Sequence, residues 1–405
     1  MVERLTKYLK GNTVIWVVIF ILSIFSILAV YSSTGTLAYK YHGGNTFYFL
    51  LKHTLTIVFG LLITFATHRI HYKFFYRISS LLLIISIPLL LLTLMLGTSL
   101  NEATRWITLP VIGLTFQTSD LAKLALIMFI AQQLSKKQER IKEFNETFLP
   151  LMIPIIVVCG LIIKADFSTA ALLFITSLLL MFVGRINLRH LGGLVLLSIV
   201  MVSIFIAIGL SSGNSGRIGT WKNRIVNFVE GDQDGNYQVE QAKIAIVTGG
   251  MLGKGPGNST QRNFLPHPYS DFIYAIIIEE YGLMGGIFIL FLYLFLLYHA
   301  GAIVRQSSRT FPAFLVIGLM LSLVLQAMIN MAVAVNVFPV TGQTLPLVSM
   351  GGTSILFTSV AFGIILSVSR TLKEEKLQEE QELVDPDGYR DEQELEYEGS
   401  IESNN

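Results

Sequence analysis

The stretch that decides the fold is residues 263–299, NFLPHPYSDFIYAIIIEEYGLMGGIFILFLYLFLLYH. From Asp271 to His299 it is almost continuously apolar, and a membrane-spanning helix needs only about 20 such residues. Three carboxylates interrupt it, Asp271 at the start and Glu279 and Glu280 within. An ionised side chain near the centre of a bilayer costs roughly 2.5–3.5 kcal/mol. The segment therefore predicts a membrane helix whose acidic residues are candidates for function.

The composition of the whole chain also predicts a membrane protein. Of 405 residues, 53% are hydrophobic and only 14% are charged, whereas soluble domains carry about 25% charged residues. The formal net charge of +2 is too small to indicate a nucleic-acid partner. The single cysteine, Cys159, lies in an apolar run, so an intrachain disulfide and a cysteine-based metal site are both excluded.

Apolar runs recur along the chain and predict an all-α integral membrane protein of about ten transmembrane helices. The first run, from Thr13 to about Tyr31, is longer than the apolar region of a cleavable signal peptide, so we expect it to remain as a helix. Alternate short loops, those after the even-numbered helices, carry Lys and Arg, which places them and both termini in the cytoplasm. The predicted helices cover 13–32, 48–67, 75–96, 120–134, 149–164, 168–184, 190–210, 271–299, 311–335 and 352–370.

The predicted organisation has three parts: a cytoplasmic N-terminus over 1–12, a transmembrane domain over 13–370, and an acidic, disordered cytoplasmic tail over 371–405. A large extracytoplasmic loop, about 211–270, joins helices 7 and 8. Its basic residues, among them Arg217 and Lys254, fit either an anionic ligand or ordinary solvation. No internal repeat is found, which weakens the case for an inverted-repeat transporter.

Polar residues cluster at the predicted outer ends of the helices. Asp120 and Lys123 are three residues apart and can pair on one helix face. Alternatively, Ser119 or Asp120 caps the start of the helix. Asp166 lies in a very short turn and also fits a helix cap.

The carboxylates within residues 263–299 can likewise have either a structural role or a functional one. Ser270 and Asp271 precede an apolar run, as helix-capping residues do. Glu279 and Glu280 lie about 80° and about 180° around the helix from Asp271. At least one of the two glutamates must therefore face another helix or a wet cavity.

Two glycine-containing segments on the outer side have structural interpretations. The glycines between 249 and 257 fail the phosphate-loop pattern, because Thr248 stands where that pattern needs Gly, and Gly255 where it needs Ser or Thr. We expect them to permit a turn or a close approach of helices. The segment PVTGQTLPLVSMGGT, residues 339–353, is non-helical at membrane depth, so it must be buried in protein or line a cavity.

Five segments together resemble the signature motifs of the SEDS family of bacterial cell-wall glycan polymerases. The resemblance covers about residues 13–370, with the motifs in family order and all on the predicted outer side. Thr118, Asp120, Ala165, Ser168, Met350 and Thr353 depart from the pattern, and residues 257–261 look like the division-type members rather than the elongation-type. The matching segments are 263–282 (FLP-x-x-x-[TS]-DFIF…EE-x-G), 105–107 (RWI), 117–123 (QPSE-x-x-K), 164–169 (QPD-x-GT) and 339–353 (P-x-TG-x-x-LP-x-x-S-x-GGS).

The resemblance implies a peptidoglycan glycosyltransferase with a GT-C-like bundle, working at the outer face of the inner membrane, at the division septum. Its implied substrate is lipid II, with Asp271 as the general base and positive charges for the leaving pyrophosphate. No cofactor is certain, although a divalent cation, Mg²⁺ or Mn²⁺, is a candidate. Implied partners are a class B penicillin-binding protein, an FtsI-like transpeptidase, and other membrane proteins of the divisome. The remaining candidate substrate-binding residues are Arg105, Trp106, Gln117, Ser119, Asp120, Lys123, Asp166, Thr169, Arg217, Lys254, Pro266, Ser270, Glu279, Glu280 and Ser349.

Three alternatives stay open from the sequence. A lipid II flippase would need a polar path, which Glu279, Glu280 and Asn330 could line. An elongation-type polymerase would share the chemistry and differ in its partners. A scaffold that only recruits a transpeptidase would leave the polar residues in the membrane helices unexplained.

Overall fold

The computed structural model describes residues 9–96, 98–100, 103–108, 115–211, 224, 228 and 237–384. Helices occupy all ten predicted ranges, and two further helices lie in connecting segments. The helices are α1 (Thr13–Ser33), α2 (Gly35–His42), α3 (Thr46–Arg69), α4 (Tyr72–Leu96), α5 (Thr118–Lys136), α6 (Leu149–Ala165), α7 (Phe167–Val183), α8 (Leu188–Ser211), α9 (Tyr237–Gly249), α10 (Ile273–Gln306), α11 (Thr310–Ala334) and α12 (Thr353–Val384).

Membrane-crossing length and hydropathy distinguish the helices from one another. Among the described residues, seven helices are long and apolar enough to cross a membrane, and α7 and residues 188–200 of α8 are shorter apolar helices. Helix α5 meets neither description, because Asp120, Lys123 and Gln132 lower its hydropathy. The total of about ten transmembrane helices therefore stays a prediction.

A small sheet departs from the all-α prediction. Strands β1 (Thr98–Leu100), β2 (Ala103–Thr108) and β3 (Thr115–Gln117) form an antiparallel sheet in the order β1-β2-β3. Within it, Trp106 pairs with Gln117. Thr, Ile, Trp and Phe favour extended backbone, which explains strands in a segment with no helical periodicity.

Close helix packing depends on small residues in α3 and α12. A Cβ on Gly60 would lie 2.6 Å from Ser359 Oγ, and one on Gly363 would lie 2.6 Å from Thr67 Cβ. Small residues let helix backbones approach each other within a membrane. Helix α12 continues to Val384, so residues 371–384 are helical and not disordered as predicted, while 385–405 lies outside the described residues.

Helix α10 is interrupted at Gly282, which has φ 72° and ψ −179°. The segment after α9 packs into the interruption, with Lys254 N donating to Glu279 O and Leu283 N donating to Gly250 O, each at 2.9 Å. A Cβ on Gly253 would lie 2.2 Å from Glu280 O, so only glycine fits there. The expectation that these glycines allow a turn and a close approach is confirmed.

Candidate functional site

The motif segments meet at one end of the helix bundle, around the loop 339–352. Gln117 N donates to Thr353 Oγ1 at 3.4 Å, which joins the start of α5 to the start of α12. Gln343 Nε2 donates to Thr169 Oγ1 at 2.8 Å, which joins the loop to α7. Segments far apart in sequence thus form one polar region.

Asp271 lies in this region, two residues before α10. Its Oδ1 accepts a hydrogen bond from Ser270 Oγ at 2.8 Å, and Asn330 Nδ2 donates to its main-chain oxygen at 2.8 Å. The residue is partly exposed. The N-cap of α10 is Phe272, without a capping side chain, so the cap interpretation of Ser270 and Asp271 is wrong. A chemical role for Asp271 stays a prediction.

Gly342 leaves space beside the Asp271 carboxylate. Its φ is +69°, and a Cβ built on it would lie 3.6 Å from Asp271 Oδ2. A side chain there would be in van der Waals contact with that oxygen and would strain the backbone. This conformation favours glycine.

The loop 339–352 is held by side chains from several helices. Leu347 has φ +63°, which is uncommon for a leucine, and the loop is non-helical although buried. Each backbone oxygen from such a loop needs a donor within the protein. Four carbonyl oxygens receive one: Gln343 O from Asn330 Nδ2 (2.7 Å), Thr344 O from Gln326 Nε2 (2.9 Å), Pro346 O from Tyr293 OH (2.5 Å) and Val348 O from Ser26 Oγ (2.9 Å).

Ser349 joins the loop to the segment that carries Asp271. Its hydroxyl donates to Ser270 O at 2.7 Å and accepts from Leu345 N at 2.8 Å. Met350 N also donates to Tyr269 O at 2.9 Å. Ser349 is 1% exposed, so the structure places it as a connector beside the site.

Asp166 is the N-cap of α7, as its helix-cap interpretation predicts. Its Oδ1 accepts from Thr169 N at 3.2 Å, and its Oδ2 accepts from Thr169 Oγ1 at 2.6 Å. Gln343 Nε2 lies 3.5 Å from the same Oδ2. The two predicted residues, Asp166 and Thr169, are therefore together and contact the loop 339–352.

Asp120 and Lys123 form a buried ion pair at 2.8 Å, with side chains 4% and 12% exposed. The N-cap of α5 is Gln117 without a capping side chain, so the pairing interpretation is confirmed and the cap interpretation is wrong. Lys123 Nζ also donates to Gln326 Oε1 at 3.3 Å. The pair lies at a small cleft between α5, α11 and α12, which is lined by both polar and apolar side chains.

Glu279 is fully buried and accepts hydrogen bonds from the loop 254–261. Lys254 Nζ donates to its Oε1 at 2.6 Å, and Thr260 donates from N at 3.0 Å and from Oγ1 at 2.8 Å. Ser259 Oγ donates to the other carboxylate oxygen. These contacts fasten the loop 254–261 to α10, so Glu279 and Lys254 meet each other in this structure.

Glu280, about 100° around α10 from Glu279, makes a second set of contacts with this loop and with α1. It accepts hydrogen bonds from Ser32 Oγ of α1 and from Ser259 N, the latter at 3.3 Å. Arg262 Nη1 donates to Ser32 O at 3.1 Å. Both glutamates face neighbouring protein segments, as their positions around the helix require.

The other predicted residues have a simpler placement. Gln117 Nε2 donates to Ser119 Oγ at 3.0 Å. Pro266 lies in the segment before Asp271 and is partly exposed. Arg105 and Trp106 lie on β2, and Arg217 lies outside the described residues.

The sequence did not single out Gln326 and Gln343 as site residues. Gln326, 5% exposed, bridges Lys123 and the loop, and Gln343, 6% exposed, bridges the loop and α7. A buried amide inside an apolar run was the available signal for Gln326, because polar residues in membrane helices are costly. Gln343 lies in a loop, where a glutamine carries no such signal.

No group of three or more His, Cys, Asp or Glu side chains that could hold a metal ion occurs within the described ranges. Asp120 and Asp166 are each engaged by a neighbour, Lys123 and Thr169 respectively. The divalent cation expected from the family resemblance stays a prediction.

Sequence comparison gives a family match over almost the whole chain. The family model described as "Cell cycle protein", for FtsW, RodA and SpoVE, matches residues 12–374. A probable peptidoglycan glycosyltransferase FtsW from Trichlorobacter lovleyi is 33% identical over 378 residues, 91% of this chain and 95% of the relative. Stage V sporulation protein E from Bacillus subtilis is 32% identical over 373 residues, 90% and 98% of the two chains.

Solved structures share the fold. One chain, from a peptidoglycan synthase complex that coordinates polymerization and crosslinking, has a TM-score of 0.71 at 23% identity and covers 89% of this chain and 98% of its own length. The rod shape determining protein RodA of Thermus thermophilus has a TM-score of 0.63 at 22% identity, covering 89% and 97%. The expected GT-C-like relationship stays a prediction.

Proposed function

From the premise that this chain belongs to the SEDS family, the FtsW, RodA and SpoVE cell cycle proteins, we propose that it polymerises lipid II into glycan strands. Its class is peptidoglycan glycosyltransferase, the activity named for its FtsW relatives. The observation that carries the proposal is the placement of Asp271. A partly exposed carboxylate lies where four motif segments meet, with Gly342 beside it.

The reaction needs one general base. The 4-hydroxyl of an acceptor sugar attacks the anomeric carbon of the donor, a new C–O bond forms with inversion, and the bond to the pyrophosphate-linked lipid breaks. Asp271 takes the hydroxyl proton, and a positioned carboxylate contributes about 10²–10⁴-fold to such a step. Ser270 Oγ and the connector Ser349 hold the carboxylate and its backbone in place.

The leaving pyrophosphate needs positive charge. Lys254 is a weaker candidate than the sequence suggested, because its ammonium is already paired with Glu279 at 2.6 Å. Lys123 is paired with Asp120 at a cleft lined by both polar and apolar side chains, an arrangement that suits a charged head group attached to a lipid tail. Arg105 and Arg217 complete the proposed set, and a divalent cation such as Mg²⁺ or Mn²⁺ would suit phosphate oxygens.

Polymerisation is favoured over transport by the engagement of the polar residues that a flippase path would use. Glu279 and Glu280 accept hydrogen bonds from the outer loop. Asn330 Nδ2 donates to Asp271 O and Gln343 O. These side chains fasten protein segments together and do not line a described channel.

The division role and the partner follow from the relatives. FtsW-type relatives support a place at the septal inner membrane, and a solved peptidoglycan synthase complex shares the fold. We propose a class B penicillin-binding protein, an FtsI-like transpeptidase, as the partner within the divisome. Co-purification with that transpeptidase, and with the elongation-type one as the comparison, separates the two subtypes.

Asp271→Asn is the direct test of the general base. With the cognate transpeptidase present, we expect the purified wild-type protein to convert labelled lipid II into glycan strands. We expect Asp271→Asn to lower the rate by at least about 10²-fold, because the amide cannot accept the proton. Glu139→Gln, which removes an exposed carboxylate on the loop after α5, is the matched control and should keep the wild-type rate.

The possible outcomes separate the hypotheses. Strands from wild type and control with none from Asp271→Asn support the proposal. An active Asp271→Asn protein would exclude Asp271 as the base. No strands from any folded protein in an intact complex would favour the flippase or the scaffold.

A further inference from the structure

A buried serine and histidine lie behind the loop that holds Asp271. Ser26 is in the middle of α1 and is 0% exposed, and His53 is in α3 and is 2% exposed. Ser26 Oγ lies 2.8 Å from His53 Nε2 and 2.9 Å from Val348 O. Neither residue belongs to a segment that resembles the family motifs, and the proposed reaction does not use them directly.

The number of protons that each group can donate determines the direction of these hydrogen bonds. A serine hydroxyl has one proton, and a main-chain carbonyl can only accept. The Ser26 proton therefore points to Val348 O, and His53 Nε2 must carry a proton that it donates to Ser26 Oγ. The order of donation is His53 to Ser26 to the loop.

Val348 precedes Ser349, which connects the loop to Asp271. Ser349 Oγ donates to Ser270 O at 2.7 Å, and Ser270 Oγ donates to Asp271 Oδ1 at 2.8 Å. A chain of hydrogen bonds and single peptide units thus runs from His53 to the carboxylate. The loop also contains Leu347 at φ +63°, a conformation that persists only where the surroundings fix it.

We propose that His53 and Ser26 are positioning residues for Asp271: His53 orients the Ser26 hydroxyl, and Ser26 fixes the loop at Val348. The proposal rests on the proposed function for its consequence in catalysis, since a displaced base loses rate. Its structural part, that His53 and Ser26 fix the loop at Val348, is independent of that function. A displacement of about 1 Å in a catalytic group can cost about 10²-fold in rate.

The kinetic test compares variants of the purified protein with its cognate transpeptidase, on labelled lipid II. Ser26→Ala and His53→Leu should each lower kcat by about tenfold and leave KM within about twofold, because substrate contacts remain. His53→Gln should recover most of kcat, since its amide nitrogen can replace Nε2 as the donor. The double variant Ser26→Ala/His53→Leu should be no slower than Ser26→Ala alone, because the two residues act in one chain.

Ser23→Ala is the matched control. Ser23 is also a buried serine of α1, 3% exposed, but its hydroxyl donates to Ile19 O of its own helix at 2.8 Å. It should keep the wild-type kcat. A wild-type kcat in folded Ser26→Ala, or a His53→Gln protein as slow as His53→Leu, would overturn the proposal.

Hydrogen exchange gives a readout that does not depend on activity. The amides of Leu345 and Ser349 are hydrogen-bonded within the loop 339–352, and the amide of Met350 donates from the loop to Tyr269 O. They should exchange faster in Ser26→Ala and His53→Leu, and at the wild-type rate in His53→Gln and Ser23→Ala. If the wild type makes no strands, the proposed function fails while exchange still decides the positioning role. Unchanged exchange in Ser26→Ala would overturn it.

Discussion

The Asp120–Lys123 ion pair shows what a charged pair does inside this bundle. Lys123 Nζ lies 2.8 Å from Asp120 Oδ1, and Asp120 Oδ2 is buried without a hydrogen-bond partner. A buried pair adds little stability compared with apolar packing, but removing one partner leaves an uncompensated charge. The pair is thus better suited to holding a polar site in the cleft than to stabilising the fold.

We therefore predict that Lys123→Met lowers the stability by roughly 3–5 kcal/mol. The double variant Asp120→Asn/Lys123→Met should lose clearly less, because no carboxylate is left unpaired. Thermal unfolding in detergent measures both. Arg140→Met is the control: it breaks an exposed ion pair with Glu146 and should leave the melting temperature unchanged. A double variant as unstable as Lys123→Met would contradict this account.

At the residue scale, sequence spacing identified pairs but could not choose between roles. Asp120 and Lys123 share a helix face whether the aspartate caps or pairs, and only the start of α5 at Thr118 decides it. The same holds for Asp271, whose helix begins one residue later than an Asp271 cap would require. Helix ends depend on tertiary contacts here, which a one-dimensional pattern does not contain.

Helix α10 shows how one element is divided without a proline. Gly282 takes a conformation that other residues rarely adopt, and a Cβ there would lie 2.1 Å from Met251 O. The backbone groups freed by the break pair with the segment 250–255. The adjacent Glu279 and Glu280 then hold the loop 254–261 and α1 against α10 at the same place.

We predict that Gly282→Ala displaces the segment 250–255 and lowers stability by an amount on the order of a few kcal/mol. Gly301→Ala is a matched control in the same helix, since a Cβ there meets no atom within 4 Å. It should be neutral or slightly stabilising, because alanine favours a helix by about 1 kcal/mol over glycine. The melting temperatures of both variants test this prediction, and equal melting temperatures would refute the close-packing argument.

At the element scale, hydrophobic runs located all ten predicted helices because burial in lipid leaves a strong signal. They missed the break at Gly282, since the run is apolar on both sides of it. The strands β1–β3 were also missed, because each strand is only three to six residues long. Gln326 and Asn330, on the helix just before the loop 339–352, donate to it, but Ser26 and Tyr293 donate from α1 and α10, which are distant in sequence, so sequence order could not reveal their bonds.

At the scale of the whole molecule, different segments of the chain meet at the two ends of the helix bundle. One end collects the motif segments around the loop 339–352. At the other end, Lys10, near the N-terminus, pairs with Glu374 of α12 at 2.9 Å. Arg370 of α12 donates to Arg69 O, at the end of α3, at 3.1 Å. Lys10, Arg69 and Arg370, which belong to segments predicted to share a side, therefore lie at the same end, as the predicted alternating topology requires.

This topology predicts which end meets the outside of the cell, and cysteine labelling tests it. In a Cys159→Ala background, Leu252→Cys places a thiol at a residue 80% exposed in the outer loop, and Ser308→Cys places one between α10 and α11. In cells stripped of their wall, a membrane-impermeant maleimide should label Leu252→Cys, and it should label Ser308→Cys only after the membrane is opened. The reverse pattern would put Asp271 in the cytoplasm, on the wrong side for strand synthesis at the outer face. Labelling of the Cys159→Ala background itself reports any nonspecific reaction.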